Sequence, residues 1–157
     1  MAEIPMATIQ VDVEWLRGLD VFVDNQYSRV HRWTFDGGAE VIASSSPEIV
    51  PVPMSDSAAV DPEEAFVAAI SSCHMLWFLS LAAKRGIRVN RYRDQAVGTL
   101  GRNLVGKLAM LTVRLRPVVE WDGESPDRSL VSELHELAHQ ECFIANSVRT
   151  EVTVELP

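Results

Sequence analysis

The chain has 157 residues, with 14 Lys or Arg against 22 Asp or Glu and a formal net charge of −8. That length suits one domain that buries its own apolar core without metal or disulfide staples, and 47% hydrophobic with 23% charged residues excludes disorder as the main description. The acidic balance and the absence of a basic run exclude a nucleic-acid partner, which would need clustered cations against the phosphate backbone.

The first residues, MAEIPMATIQVDVEW, hold no charged segment followed by an apolar one. A cytoplasmic, reducing location is therefore expected, with Cys73 and Cys142 as thiols. Ile9, Val11, Val13 and Trp15 alternate with polar residues, the period of a half-buried strand. Val21–Val23, Arg29–Phe35 and Glu40–Ser44 read as further short strands, the last two joined through Asp36-Gly37-Gly38 as a hairpin. Ser44–Ser57, rich in Pro and Ser, reads as a long loop.

Asp61-Pro62-Glu63-Glu64 is a helix start: Asp61 can cap, Pro62 suits the first helical position, and Glu64 sits where a capping box places its carboxylate. The helix is expected to run to about Arg85 and stop at Gly86. Its stretch Ala65–Ala83 carries no formal charge and reaches membrane-spanning length. The polar Ser71, Ser72, His74 and Ser80, and flanking strands that need an apolar cover, argue instead for a buried central helix and no membrane.

A strand is expected around Gln95–Leu100, and another where Leu111, Val113 and Leu115 alternate with Thr112, Arg114 and Arg116. Ser125 or Asp127 opens a second helix to about Cys142, with Leu130, Leu134, Leu137 and Ala138 on one face. Val148 to Leu156 closes the chain as an alternating strand. The order argues a single α+β domain over residues 1–157, its helices packed on a mainly antiparallel sheet.

Cys73 falls mid-helix, about three turns from the N-terminus, where the helix dipole does little for its acidity. A reactive thiolate there needs a cation. Arg29 and Arg32 are candidates, three residues apart on the expected second strand and so on opposite faces. Without such a cation, Cys73 is an inert buried thiol. Glu63 and Glu64 stand ten and nine residues before Cys73, and at about 100° per residue Glu63 lies nearer the cysteine face. Both are equally ordinary first-turn acids favoured by the dipole.

His135, His139 and Cys142 fall at i, i+4 and i+7. This is a zinc-like stripe that Cys73 or His74 could complete, or else two solvated histidines on a polar helix face. No glycine-rich phosphate loop or serine-hydrolase elbow is present.

Asp61-Pro62-Glu63-Glu64-Ala65-Phe66-Val67-Ala68-Ala69-Ile70-Ser71-Ser72-Cys73, then Lys84-Arg85-Gly86, then Glu141-Cys142-Phe143-Ile144-Ala145-Asn146-Ser147 resemble, in order along the chain, the OsmC/Ohr family of osmotically inducible and organic-hydroperoxide-resistance proteins. Tyr27-Ser28-Arg29 and Phe35-Asp36-Gly37-Gly38 resemble one branch of it. The resemblance implies an intertwined homodimer with two active sites at its interface, each a cysteine peroxidase with no cofactor, metal or haem. Carried onto matching positions, Cys73 is the peroxidatic thiolate, Glu63 the acid anchoring an arginine, chosen as Arg29, and Cys142 the resolving thiol. His74 stands where the family often has an aromatic residue, and Phe143 where it often has proline.

The implied activity is reduction of small organic or lipid hydroperoxides. It proceeds through a Cys73 sulfenic acid and a Cys73–Cys142 disulfide, reset by a dithiol reductant, with a lipoylated protein as one candidate. Phe66, Ile70, His74 and Trp77 would line an apolar substrate site. The competing expectation is a non-catalytic thiol sensor or small-ligand-binding module on the same fold, with zinc binding third.

Overall fold

The computed structural model describes residues 4–157, and contacts within it divide the chain into two compact units, Met1–Pro62 and Glu63–Pro157. In the first unit, β1 (Val11–Glu14), β2 (His31–Phe35) and β3 (Glu40–Ala43) form an antiparallel sheet in that order. The β2–β3 hairpin closes where expected: Gly38, at φ +88°, donates to Phe35 O (2.9 Å), and Phe35 N donates to Ala39 O (2.9 Å). Such a positive φ is open to glycine at little cost.

Three expectations in this unit are corrected. β1 is not half-buried; all four of its residues are exposed, Val11 and Val13 included. Val21–Val23 is not a strand. Phe22 adopts φ 75° and packs against Trp15 and Tyr27, with ring centroids 5.6 and 4.7 Å away, while Asp20 Oδ2 accepts from Ser28 N (2.8 Å). Aromatic clustering and this side-chain bond thus override strand propensity. Arg29 also lies before β2 rather than on it, so the opposite-face argument that separated it from Arg32 does not apply.

The second unit is built on α1 (Pro62–Lys84). Pro62 is its first residue, and the expected stop is real: Gly86, at φ +71°, donates to Ala83 O (3.0 Å) while Ile87 N donates to Ala82 O (3.0 Å), a Schellman closure. Directly after this closure come two sheets that the sequence only half resolves. A two-stranded ribbon pairs β4 (Val89–Asp94) with β7 (Pro117–Trp121), and a second sheet has the order β5 (Val97–Arg102), β6 (Leu108–Leu115), β8 (Glu151–Val154). β5–β6 is antiparallel and β6–β8 parallel. Neither β4 nor β7 was expected. A register shift between Val89 and Arg91 breaks the alternation of β4, and Pro117 separates β7 from the apolar run of β6.

The second helix, α2 (Arg128–Glu141), starts after Asp127, whose side chain makes no capping bond. A short 3-10 turn, Ala145–Ser147, separates it from β8, which is shorter than the expected Val148–Leu156. The fold is thus α+β, with mainly antiparallel sheets.

α1 divides its buried face between two clusters. Ile70 packs with Val113 and Leu115 of β6, joined by Phe66, Val67, Val152 and Val154. Eight residues on from Ile70, Phe78 packs, with Ala82, against Leu134 and Ala138 of α2, together with Tyr92 of β4 and Trp121 of β7. Full burial of each large side chain here contributes about 1.5–3 kcal/mol. By length and composition alone α1 could cross a membrane; its stripe Ile70, His74, Phe78 and Ala82 is buried within the protein.

The sheet comes close to α1 at Gly98. A Cβ there would meet Val67 Cγ2 at 2.5 Å and Met110 Cε at 2.6 Å, whereas one at Gly101 would meet only Leu111, at 2.6 Å. Val67 is β-branched in a helix and cannot turn aside, unlike the ends of Met110 and Leu111. Gly98→Ala is expected to destabilise the protein by about 1–3 kcal/mol, and Gly101→Ala by clearly less, as measured by urea unfolding. Equal losses would contradict this packing.

Candidate functional site

Position in the α1 stripe dictates what each expected site residue can do. Phe66, Ile70, Cys73 and Trp77 recur at spacings of four, three and four, so they share one side of the helix. Ile70 is fully buried inside its cluster, and Phe66 packs against the same cluster. Trp77 packs against the other cluster and meets Phe143 edge-on, with centroids 5.6 Å apart at 88°. That contact places the residue after Cys142 against the helix that carries Cys73.

Both cysteines are free thiols, Cys73 half-buried and Cys142 buried. Cys142 is the C-cap of α2, and its Sγ accepts from Ala145 N at 3.4 Å in the turn that follows. Its pKa is raised, above all by burial and then by the neighbouring Cys73 thiol, against the lowering pull of the Ala145 and Ile144 amides. The two sulfurs are therefore neighbours, and Cys142 holds its proton more tightly than an ordinary thiol.

The acid expected to anchor an arginine, Glu63, is in the first turn of α1 and half-buried. Its Oε2 is buried with no hydrogen-bond partner among the described residues. Arg29 belongs to the first unit, where its guanidinium is held by its own loop. It donates to Asn25 O (3.2 Å), Asn25 Oδ1 (2.9 Å) and Tyr27 O, and lies 3.6 Å from the Tyr27 ring centroid. Arg32, its alternative, instead sits 3.6 Å from Glu40 on the exposed surface. Deeper along α1, Ser71 Oγ donates to Asp94 Oδ2 (2.5 Å), whose Oδ1 accepts from Arg116 N (2.7 Å).

The histidines depart most from expectation. His135 is not a solvated surface residue: it is 3% exposed, against 1% for His74. His74 Nε2 and His135 Nδ1 are 3.0 Å apart, with ring planes within 5° of parallel, and His135 also stacks on Phe78 at 4.2 Å. The sequence joins His74 to His135 only as a possible further ligand of a zinc-like stripe, and otherwise reads His135 as solvated on a polar helix face. The zinc alternative falls with this geometry. His135 is turned to His74, and no group of three or more His, Cys, Asp or Glu side chains among the described residues is arranged to hold a metal ion.

Both imidazoles resist protonation. Burial, then the nearby His139, against an opposing pull from Asp94, lowers His74 from 6.5 to about 4; burial and then His74 lower His135 from 6.5 to about 4. The unfolded chain takes up these protons near pH 6.5 while the fold refuses them until about 4. Stability from this pair is thus complete above pH 6.5 and is lost as pH falls toward 4. His135→Leu alone strands a buried His74 nitrogen and should cost about 1–3 kcal/mol. His74→Leu with His135→Leu should cost less and flatten Tm between those pH values. A double variant with an unchanged acid slope would contradict the assignment.

The sequence model of the OsmC-like protein family matches residues 55–157. Among curated protein sequences, none matches. Among solved structures, an OsmC-like protein of unknown function from Vibrio cholerae O1 biovar eltor is 54% identical, with a TM-score of 0.95 over 97% of this chain and 100% of that one. An organic hydroperoxide resistance protein from Elizabethkingia anophelis has a TM-score of 0.71 at 19% identity, over 97% and 95% of the two chains. The organic hydroperoxide resistance protein OhrB of Bacillus subtilis has a TM-score of 0.67 at 19% identity, over 96% and 98%. These last two share the fold.

Proposed function

The chain belongs to the OsmC-like protein family, and from that premise we propose that it is a cysteine-based peroxidase that reduces organic hydroperoxides. The observation that carries the reading is the pairing of a half-buried Cys73 with a buried Cys142 whose pKa is raised by that same neighbour. Burial and the neighbouring thiol raise the Cys142 pKa, so Cys142 keeps its proton. The names of the two hydroperoxide-resistance structures that share the fold support the same direction.

In this mechanism the Cys73 thiolate attacks the terminal oxygen of the hydroperoxide, the O–O bond breaks, and the alkoxide leaves and takes a proton to become the alcohol. Cys73 is then a sulfenic acid. The Cys142 thiol condenses with it, forming the S–S bond and releasing water, which diverts the sulfur from irreversible over-oxidation. A dithiol reductant, with a lipoylated protein as one candidate, reopens the disulfide by exchange.

Arg29 as the cation that stabilises the thiolate and Glu63 as its acidic anchor are part of the proposal. The buried, unpartnered Oε2 of Glu63 is in keeping with a carboxylate that receives a cation. Phe66 and Trp77 are offered as the apolar approach, with Ile70 and His74 shaping it from within the core. An intertwined homodimer completes the reading, supported by the exposed Val11, Val13, Val21 and Val23 of the first unit.

The test is dithiol-coupled turnover with an aryl hydroperoxide and with hydrogen peroxide. Cys73→Ser should abolish activity. Cys142→Ser should pass one turnover and then over-oxidise, and Arg29→Ala should lower kcat/KM by about 100-fold, the scale of a lost charge-assisted contact to the reacting group. Comparable rates on the two peroxides would contradict the organic preference. Full turnover by Cys73→Ser would contradict the mechanism and favour a ligand-binding module.

A further inference from the structure

The outward face of the β4–β7 ribbon collects positive charge in a chain whose net charge is −8. Arg91 and Arg93 alternate with Tyr92 along β4, and Val118 and Glu120 with Val119 along β7. Tyr92 and Val119 pack into the core, so the other four side chains share the exposed face. The register sets Arg91 opposite Glu120 and Arg93 opposite Val118. Together with Gln95 and Arg116, just beyond the paired residues, they line a solvent-open depression of about 160 Å³ that the peroxide chemistry does not use.

Of the three arginines, Arg91 is the one with an acidic partner, donating from Nη1 to Glu120 Oε1 at 3.2 Å. Arg93 has no side-chain partner among the described residues. Arg116 is anchored at one edge of its guanidinium, where Nε donates to Gln95 O at 3.1 Å, and its terminal nitrogens have no partner among the described residues. Arg93 and Arg116 are diagonal neighbours across the ribbon, a spacing that long side chains span. Like charges so placed repel each other, and an anion between them turns repulsion into attraction.

The donors define the anion. A guanidinium is a flat fork of N–H groups that one edge of a carboxylate or phosphate satisfies. Two such forks on opposite sides of the ribbon call for a group with more than one acceptor edge, which the three terminal oxygens and nearly double negative charge of a phosphate monoester supply. A single carboxylate is taken up by one fork. Val118, 55% exposed and flanked by both arginines, gives the organic part of the ester an apolar surface to lie on.

We propose that this depression binds a small phosphate monoester, its phosphate held by Arg93 and Arg116 and its organic group laid on Val118. The site stands on the second unit alone and does not depend on Cys73 or Cys142 being catalytic.

Phenyl phosphate and inorganic phosphate are the probes, each titrated into the full chain at low ionic strength, where exposed charges are least screened, while the arginine Nε–H signals are followed by NMR. Saturable shifts at Arg93 and Arg116 are expected, with phenyl phosphate at least about threefold tighter than inorganic phosphate through its contact with Val118. Arg93→Gln and Arg116→Gln should each weaken phenyl phosphate by about fivefold or more, the scale of one charge-assisted bond. Lys84→Gln, which removes the same charge at the end of α1, should change binding by less than about twofold. Non-saturable shifts, phenyl phosphate binding unchanged by either arginine variant, a loss in Lys84→Gln equal to theirs, or inorganic phosphate or benzoate binding as tightly as phenyl phosphate would each overturn the proposal.

Discussion

The second unit depends on a hydrogen bond between two buried imidazoles. His74 lies on the one helix face that must be apolar, between Ile70 and Phe78, and burying its ring unpaired would be unfavourable. The bond to His135, 3.0 Å long, resolves that, and it also fixes α2 against α1 at one register. Cys142 stands seven residues after His135, two turns along the same face of α2, and Cys73 is the immediate neighbour of His74. Once the imidazoles meet, the thiols are brought together as a consequence. A leucine pair would fill the same space with less electrostatic cost, but it would not pin one helix against the other with a directional contact.

Around that pin the core is shared. The first half of α1 serves the β5–β6–β8 sheet through Ile70, and the second half serves α2 and the β4–β7 ribbon through Phe78 and Ala82. Gly98 lets the sheet approach the helix at Val67 without a Cβ between them. Cys73 and His74 therefore sit on α1 between the two clusters, and Cys142 at the C-terminal end of α2, so both thiols are placed by helices.

Much of this was legible in the residues because their local signals agree with the tertiary outcome. Asp61-Pro62-Glu63-Glu64 and Gly86 mark the ends of α1 by capping chemistry, and Leu134 and Ala138 mark the buried face of α2 by period. What escaped was decided by tertiary contact. The bulge in β4 removes its alternation, the Trp15–Phe22–Tyr27 cluster folds a strand-like segment into a loop, and β1 carries an apolar pattern that a single chain leaves exposed. The imidazole pair was beyond reach because His74 and His135 are 61 residues apart and no local pattern links them.

The central claim is that Cys73 and Cys142 form one redox unit. Intact mass before and after one equivalent of an organic hydroperoxide, on the wild type and on Cys73→Ser, tests it most directly. The account predicts loss of two hydrogens in the wild type alone, reversed by a dithiol. An unchanged wild-type mass, or addition of oxygen to Cys142 in the variant at the wild-type rate, would contradict it.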